Sequence, residues 1–535
     1  MKKIVFILYS LLIVSFTDAQ TLGLTFYTED ISDGYLLFST PTQKVYLIDN
    51  CGEKINEWTC TTNSQFTAYL LPNGDLLKMG KFENSAFLGG GSSGLLEIYS
   101  WEGELKWSTI YSNDEHHMHH NVETLPNGNI LLIAWEKISA QEVLDAGRES
   151  VNANGLWSEK IVEIKALGTD SYEEVWVWRA WDHIVQDKDP LLNTYGLIED
   201  NPNLIDLNFG TPNDGDWLHF NYIDFNESLD QILISSRSLS EVLIIDHSTS
   251  TLEASGSTGG LSGKGGDLLY RWGNPQNYNQ GFGDDQKLFG QHGANWIEDE
   301  RPGGGNILIF NNGAGVPEGQ FYSSVVELIT PLNEFNYELE NGAFLPNSFF
   351  WEYKANPPQE FYSSRTSSCQ RQENGNTLIN EGATGRYFEV DNDSQKVWEY
   401  INPHGQQGIF EQGESPTSNG TFIIQKYPYD YSAFDDKNLS PLGPIELNPT
   451  SNICLSNTLE TESENLIYSL ENPSNGFLIA HRQMGFELSF VLMSVEGKKI
   501  MIGSISKGQK IDISHLQSGL YFVLLNNNIH KLILE

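Results

Sequence analysis

LPNGNILLIA at 125–134 has a near copy in LPNGDLLKMG at 71–80, and the reading of this pair decides the fold. Each joins an Asn-Gly turn to a run of Leu and Ile, the pattern of a hairpin entering its second strand. It recurs as ESLDQILISS (227–236), PGGGNILIFN (302–311), QENGNTLINE (372–381) and TSNGTFIIQK (417–426). A second pattern alternates with the first, an alternating strand followed by one that carries Trp. Its copies are KVYLID…EW (44–58), LLEIYSWEGELKW (95–107), IVEIKALGTDSYEEVWVW (161–178), VLIID…LLYRW (242–272), VVELI…FFWEY (325–353) and YFEV…KVWEY (387–400). Each pattern occurs six times, and two strands of each make a four-stranded sheet. The count predicts an all-β fold, a six-bladed β-propeller of four-stranded blades over residues 20–445. The chain enters on a second-pattern pair near 36–60 and leaves its repeats on an unpaired first-pattern hairpin near 417–426, so both ends are expected to complete one blade.

The flanks read differently. Lys2-Lys3, an apolar run from Ile4 to Phe16 and Thr17-Asp18-Ala19 have the form of a cleaved signal peptide over residues 1–19, so the chain is expected to be exported. No other segment approaches 18 apolar residues, and no membrane insertion is expected. Export permits disulfides, and Cys51 and Cys60, between two strand-like runs, are expected to bridge at the seam; Cys369 and Cys454 have no evident partner. Residues 446–465 read as a linker and 466–535 as a small β-sandwich.

Composition narrows the function. With 71 Asp+Glu against 31 Lys+Arg the net charge is −40, which repels phosphate backbones and argues against nucleic acid as a partner. The aromatic content, 27 Phe, 23 Tyr and 13 Trp, demands a large packed core. GGGSSG (89–94) and TGGLSGKGGD (258–267) have the look of phosphate loops, but Gly265 stands where a Walker motif needs Ser or Thr, and both read as flexible loops.

The chemistry is expected where the first strand of each blade lines the central channel. Three successive blades carry His at matching positions, His119/His120, His219 and His292, and the fifth offers Arg365. Arg237, 18 residues after His219, can return to the same mouth. Several His in one place suit a metal ion, yet a fixed guanidinium would repel a divalent cation. Imidazoles with an arginine suit an anion with several oxygens, such as sulfate or phosphate.

HHNVETLPNGNILLIAWEK, DWLHFNYIDFNESLDQILISSRSLSEVLIID, LFGQHGANWI…GNILIFNNG and SSRTSSCQRQENGNTLINEGATGRYFEV resemble the bacterial arylsulfate sulfotransferases over roughly residues 35–430. The resemblance implies an enzyme that moves a sulfuryl group from an aryl sulfate to a phenol through a sulfated histidine, with no nucleotide sulfate donor, no cofactor and no metal. It assigns His292 as the nucleophile and His219 and Arg237 as the groups that hold the sulfuryl oxygens. His119 or His120 would be the remaining catalytic histidine, with His120 favoured because His-Asn here stands where the family has His-Asp. Arg365, Asn312 and Trp217 are expected to contact substrate. Asn121 and Gly293 depart from the family's acidic residue after the histidine, and the pairing domain of some members has no counterpart, which leaves the oligomeric state open. Asp512-Ile513-Ser514-His515-Leu516 and Ser518-Gly519-Leu520-Tyr521 resemble the C-terminal sorting domain of type IX secretion, which implies the secretion machinery as a partner and a periplasmic, surface or secreted destination. Ser469-Leu470 depart from the usual Pro-Asn at its start. Two other functions suit these residues: a non-catalytic exported propeller that binds sulfated or phenolic ligands, or a metal-dependent hydrolase at the histidine cluster.

Overall fold

The computed structural model describes residues 20–210, 215–314, 321–449 and 454, and beyond these 477–479, 488–494, 498–505, 510–525 and 528–534. The leader 1–19 and most of the 446–465 linker lie outside the described residues. The chain divides into two compact units, residues 1–453 and 454–535. Ile445 and Glu446 are buried and Glu53 bridges to Pro444, so the first unit extends to the edge of the expected linker.

The fold is all-β. Up to residue 449 the described residues hold six sheets built on four antiparallel strands, each starting from an inner strand. The first runs Ser64–Leu70, Leu76–Lys81, Gly94–Tyr99, Leu105–Ile110. The second is His116–Thr124, Ile130–Ile138, Leu156–Leu167, Ser171–Arg179, and the third Phe220–Asn226, Gln231–Ser236, Glu241–Asp246, Tyr270–Trp272. The fourth is His292–Trp296, Ile307–Asn311, Ser324–Leu328, Trp351–Tyr353. The fifth, Ser368–Arg371, Thr377–Glu381, Arg386–Val390, Lys396–Ile401, carries Gly23–Tyr27 as an additional outer strand. The sixth joins the two ends of the repeats, with Ile424–Tyr427 inside Tyr35–Ser39, Lys44–Ile48 and Lys54–Thr59. The inner strands pack on one another in that order, and the sixth packs back on the first.

The sixth sheet takes three strands from the start of the chain and one from the end, where the sequence suggests two and two. Tyr35–Ser39 is a near-continuous apolar run, buried from Leu36 to Ser39, and serves as the second strand, with a register from Tyr35↔Tyr427 to Phe38↔Ile424. The Trp of the second pattern has a common task. Trp58, Trp107, Trp178, Trp272 and Trp398 donate their indole N–H to the carbonyls of Ser100, Ser171, Gly266, Pro346 and Asn50, at 2.7–3.0 Å. Each acceptor belongs to the next sheet or its connections, so the outermost strand of one sheet is clasped to its neighbour. Trp351 departs from this and lies under the Arg371 guanidinium of the fifth sheet, 5.1 Å from its centroid.

The cysteine expectation is corrected. Cys51 is disulfide-bonded, and so is Cys454, while Cys60 and Cys369 are buried free thiols. Cys51 sits in the turn before Lys54–Thr59 and Cys60 just beyond that strand's far end, where its N–H bonds the Gln43 carbonyl. At ~3.3 Å per residue the strand holds them roughly 20 Å apart, far beyond bonding reach.

The second unit holds a four-stranded antiparallel sheet of Leu488–Ser494, Lys499–Ile505, Gly519–Leu525 and Asn528–Leu534, and a pair of Phe477–Ile479 with Lys510–Asp512. Phe490, Leu492, Ile513, Val523, Leu532 and Leu534 form its core. Among the described residues no helix is long and apolar enough to cross a membrane.

Candidate functional site

Four of the six inner strands share a defect at one level. Pairing slips between Ser64 and Ala68 in the first, opposite Met118 to Val122 in the second, between Phe220 and Tyr222 in the third and between His292 and Asn295 in the fourth. A bulge bends a strand and re-aims a side chain. The backbone is left-handed at His120 (φ 56°) and His219 (φ 50°), and at Gly293 (φ 60°) directly after His292. Non-glycine residues avoid this region, so both histidines are held in a strained conformation, His120 within its inner strand and His219 directly before the next one.

Four expected residues meet there. The His120 and His219 rings lie 4.6 Å apart, and the Phe422 ring stands edge-on to both His120 (6.2 Å) and His292 (5.8 Å). Arg237, whose N–H bonds the His219 carbonyl at 3.1 Å, is close enough to lower the pKa of both His120 and His292.

Each histidine is held at one end. Asn312 donates through Nδ2 to the carbonyls of Ser363 (2.8 Å) and Thr366 (3.1 Å), which turns its Oδ1 to His292 Nδ1 at 2.7 Å. The His292 proton must therefore sit on Nδ1, and Nε2 keeps its lone pair. Burial, with Arg237 and His219 adding to it against the opposing Asn312 bond, pushes His292 down to about 3, so the ring is neutral. His219 Nδ1 meets Asp216 Oδ2 at 2.5 Å, and the other Asp216 oxygen accepts the Trp135 indole N–H at 3.0 Å. His120 Nδ1 lies 2.7 Å from His119 Nδ1. His119 stands behind it, stacked on Trp135 at 4.0 Å, with Nε2 2.9 Å from Glu159 Oε2. His120 is thus the member of the pair that meets His219. His117 is committed elsewhere, between the hydroxyls of Ser92 and Ser112 at 2.8 and 2.7 Å.

Two expected contact residues do other work. Asn312 is buried with Oδ1 and Nδ2 engaged, so it orients His292 rather than meeting substrate. Trp217 is buried in the core between the second and third sheets, its N–H on the Phe209 carbonyl and Arg148 over its ring, and has no face for a ligand. Arg365 is exposed in a cavity of about 400 Å³ that Lys81, Gln65, Thr366 and Thr421 also line.

Sequence reasoning missed the supports. Asp216 stands three residues before His219, a spacing that signals a carboxylate–imidazole pair. Glu159 and Trp135 carry no local signal, because they come from the second and third strands of their sheet. The glycine loop 89–94, expected to be flexible, walls the site: the Gly91 carbonyl accepts the His120 N–H at 2.8 Å, and a side chain there would collide with the His120 ring. Among the described residues no group of three His, Cys, Asp or Glu side chains is arranged to hold a metal ion.

The family model described as Arylsulfotransferase (ASST) matches residues 18–417, and that described as Secretion system C-terminal sorting domain matches residues 472–535. No curated protein matches the chain. Among solved structures, a protein of unknown function from Bacteroides caccae is 14% identical, with 69% of this chain and 93% of that one covered and a TM-score of 0.37. The periplasmic gluconolactonase PpgL of Pseudomonas aeruginosa is 10% identical over 74% and 99% of the chains, with a TM-score of 0.38. The Cps50 (Swd1) β-propeller domain of Myceliophteria thermophila is 8% identical over 77% and 97%, with a TM-score of 0.37.

Proposed function

The chain belongs to the arylsulfotransferase family, and on that premise we propose that it moves a sulfuryl group from an aryl sulfate to a phenol in two displacements through a sulfated His292. One observation carries the reading: Asn312 fixes the Nδ1–H form of His292, so the lone pair of a neutral Nε2 is available beside Arg237, His219 and His120. A neutral imidazole is a competent nucleophile. In the first displacement Nε2 bonds to sulfur and the S–O bond to the donor phenol breaks, with the electron pair leaving on that oxygen. Arg237 and His219 stabilise charge on the sulfuryl oxygens, and His120 supplies a proton to the departing phenolate. In the second the acceptor oxygen attacks sulfur, the N–S bond breaks, and His120 takes the acceptor's proton. Arg365 and Lys81 at the cavity give an anionic donor its approach.

We read the six sheets, their cyclic packing and the Trp clasps as a six-bladed propeller over residues 20–445, with 466–535 a sandwich. The sorting domain marks the chain for export to the surface or the medium, with the secretion machinery as its partner. Brief exposure to 4-nitrophenyl sulfate adds one sulfuryl group to the intact mass, and His292→Ala abolishes that adduct and the release of 4-nitrophenol. Turnover that survives in His292→Ala overturns the assignment; binding of aryl sulfate with no adduct makes the protein a non-catalytic binder instead.

A further inference from the structure

A hydrogen-bonded line runs back from the site through the second sheet. His120 Nδ1 lies 2.7 Å from His119 Nδ1, and His119 Nε2 lies 2.9 Å from Glu159 Oε2. The second oxygen of Glu159 accepts the Phe220 backbone N–H at 2.9 Å, and Trp135 stacks on His119. All three side chains of the line are buried. The heavy atoms allow two proton arrangements. In one, the Glu159 carboxyl donates to His119 Nε2, His119 Nδ1–H donates to His120 Nδ1, and His120 presents Nε2–H to the site. In the other, His119 Nε2–H donates to the Glu159 carboxylate, His120 Nδ1–H donates to His119 Nδ1, and His120 presents a lone pair.

We infer that Glu159, His119 and His120 form a proton relay that switches His120 Nε2 from donor to acceptor between the two displacements; the inference rests on the sulfuryl-transfer reading above. When the donor phenolate leaves, it takes the proton of His120 Nε2, His120 Nδ1 takes that of His119 Nδ1, and His119 Nε2 takes that of Glu159. The relay ends with a carboxylate. When the acceptor attacks, its O–H proton goes to His120 Nε2, the His120 Nδ1 proton to His119, and the His119 Nε2 proton to Glu159. Both imidazoles stay neutral throughout, and each cycle restores the start.

The surroundings demand such a device. Burial first, then the neighbouring histidines and for His120 also Arg237, holds both rings well below the usual imidazole range. A histidine that stores its proton as an imidazolium is therefore unfavourable here. Burial, with Asp216 adding to it, holds Glu159 well above the usual carboxyl range, so the relay ends in a group able to keep a proton. His120 meets the reacting oxygen; His119 and Glu159 act through it as positioning residues.

Glu159→Gln separates the relay from a structural role. The Phe220 N–H fixes the amide oxygen on its own side, so the amide nitrogen faces His119 and cannot give up a proton. The expected result is loading of His292 from 4-nitrophenyl sulfate within about three-fold of the natural protein, because that phenolate leaves unaided. Loading from phenyl sulfate, whose phenolate needs the proton, falls about a hundredfold, and so does transfer from loaded His292 to phenol. Glu159→Asp, which keeps an exchangeable carboxyl, retains the natural ratio between donors. Equal slowing with both donors overturns the relay. Failure of the natural protein to load from 4-nitrophenyl sulfate overturns the transfer reading instead. Should Glu159→Gln not fold, the natural protein decides: the proton inventory of loading from phenyl sulfate is curved for several protons in flight, and a straight one overturns the relay.

Discussion

At the residue scale, the site is defined by which imidazole nitrogen is occupied. Asn312, Asp216 and His119 each take an Nδ1, of His292, His219 and His120 in turn. This sets a pH prediction. An ordinary imidazole is largely protonated at pH 5, whereas a ring held down to about 3 is neutral there. The depressed pKa means the nucleophile is lost only as the pH falls towards that value, so the single-turnover loading rate stays level from pH 8 to 5. A fall centred near pH 6.5 would show an unshifted nucleophile. Gly91 is the second test. Its φ of 76° is left-handed and a Cβ would strike the His120 ring. Gly91→Ala should cost more than about 1 kcal/mol in thermal unfolding, and should slow phenyl sulfate loading at least about tenfold as His120 moves.

The elements explain why these residues meet. The inner strands of the first four sheets are bulged at one level, which a hydrophobic count cannot report, because a bulge changes direction without changing composition. The Trp repeat is legible, and its reason is tertiary: indole N–H groups cross from one sheet to the next. Trp178→Phe keeps the ring and leaves the Gly266 carbonyl without its donor. The expected loss is about 1–2 kcal/mol in chemical unfolding, with loading of His292 unchanged. His247 adds a second tie between sheets, bonded to Asp230 in its own sheet at 2.7 Å and to Glu163 in the second at 3.1 Å. Burial opposes its charge, but these two carboxylates outweigh burial and raise it to about 9. A raised pKa gives stability that is complete below about 6.5 and disappears as the pH passes 9. His247→Gln should therefore cost about 2 kcal/mol at pH 6 and much less at pH 9.5, by denaturant titration at the two values.

At the scale of the whole molecule, the cyclic packing of the inner strands runs through one short strand. Ile424–Tyr427 is the inner strand of the sixth sheet and packs towards both the fifth and the first. A chain ended after residue 449 keeps that strand and is expected to unfold in one cooperative transition and to load from 4-nitrophenyl sulfate. A chain ended after residue 420 lacks it and is expected to show no cooperative transition by circular dichroism. The sequence by itself determined the six-fold recurrence and alternation of two patterns, the join of both ends in one sheet, and the His119/His120 pair, His219, His292 and Arg237 as a group, because repeats and turn chemistry are local and survive in one dimension. Only the tertiary structure decided which of His119 and His120 faces the site, that Asn312 serves His292, that Trp217 is core, that Cys51 and Cys60 stand apart, and that Glu159 backs the histidine pair. Those facts depend on bulges, on strand length and on side chains from separate strands, and these acquire a meaning only when the sheets are packed together.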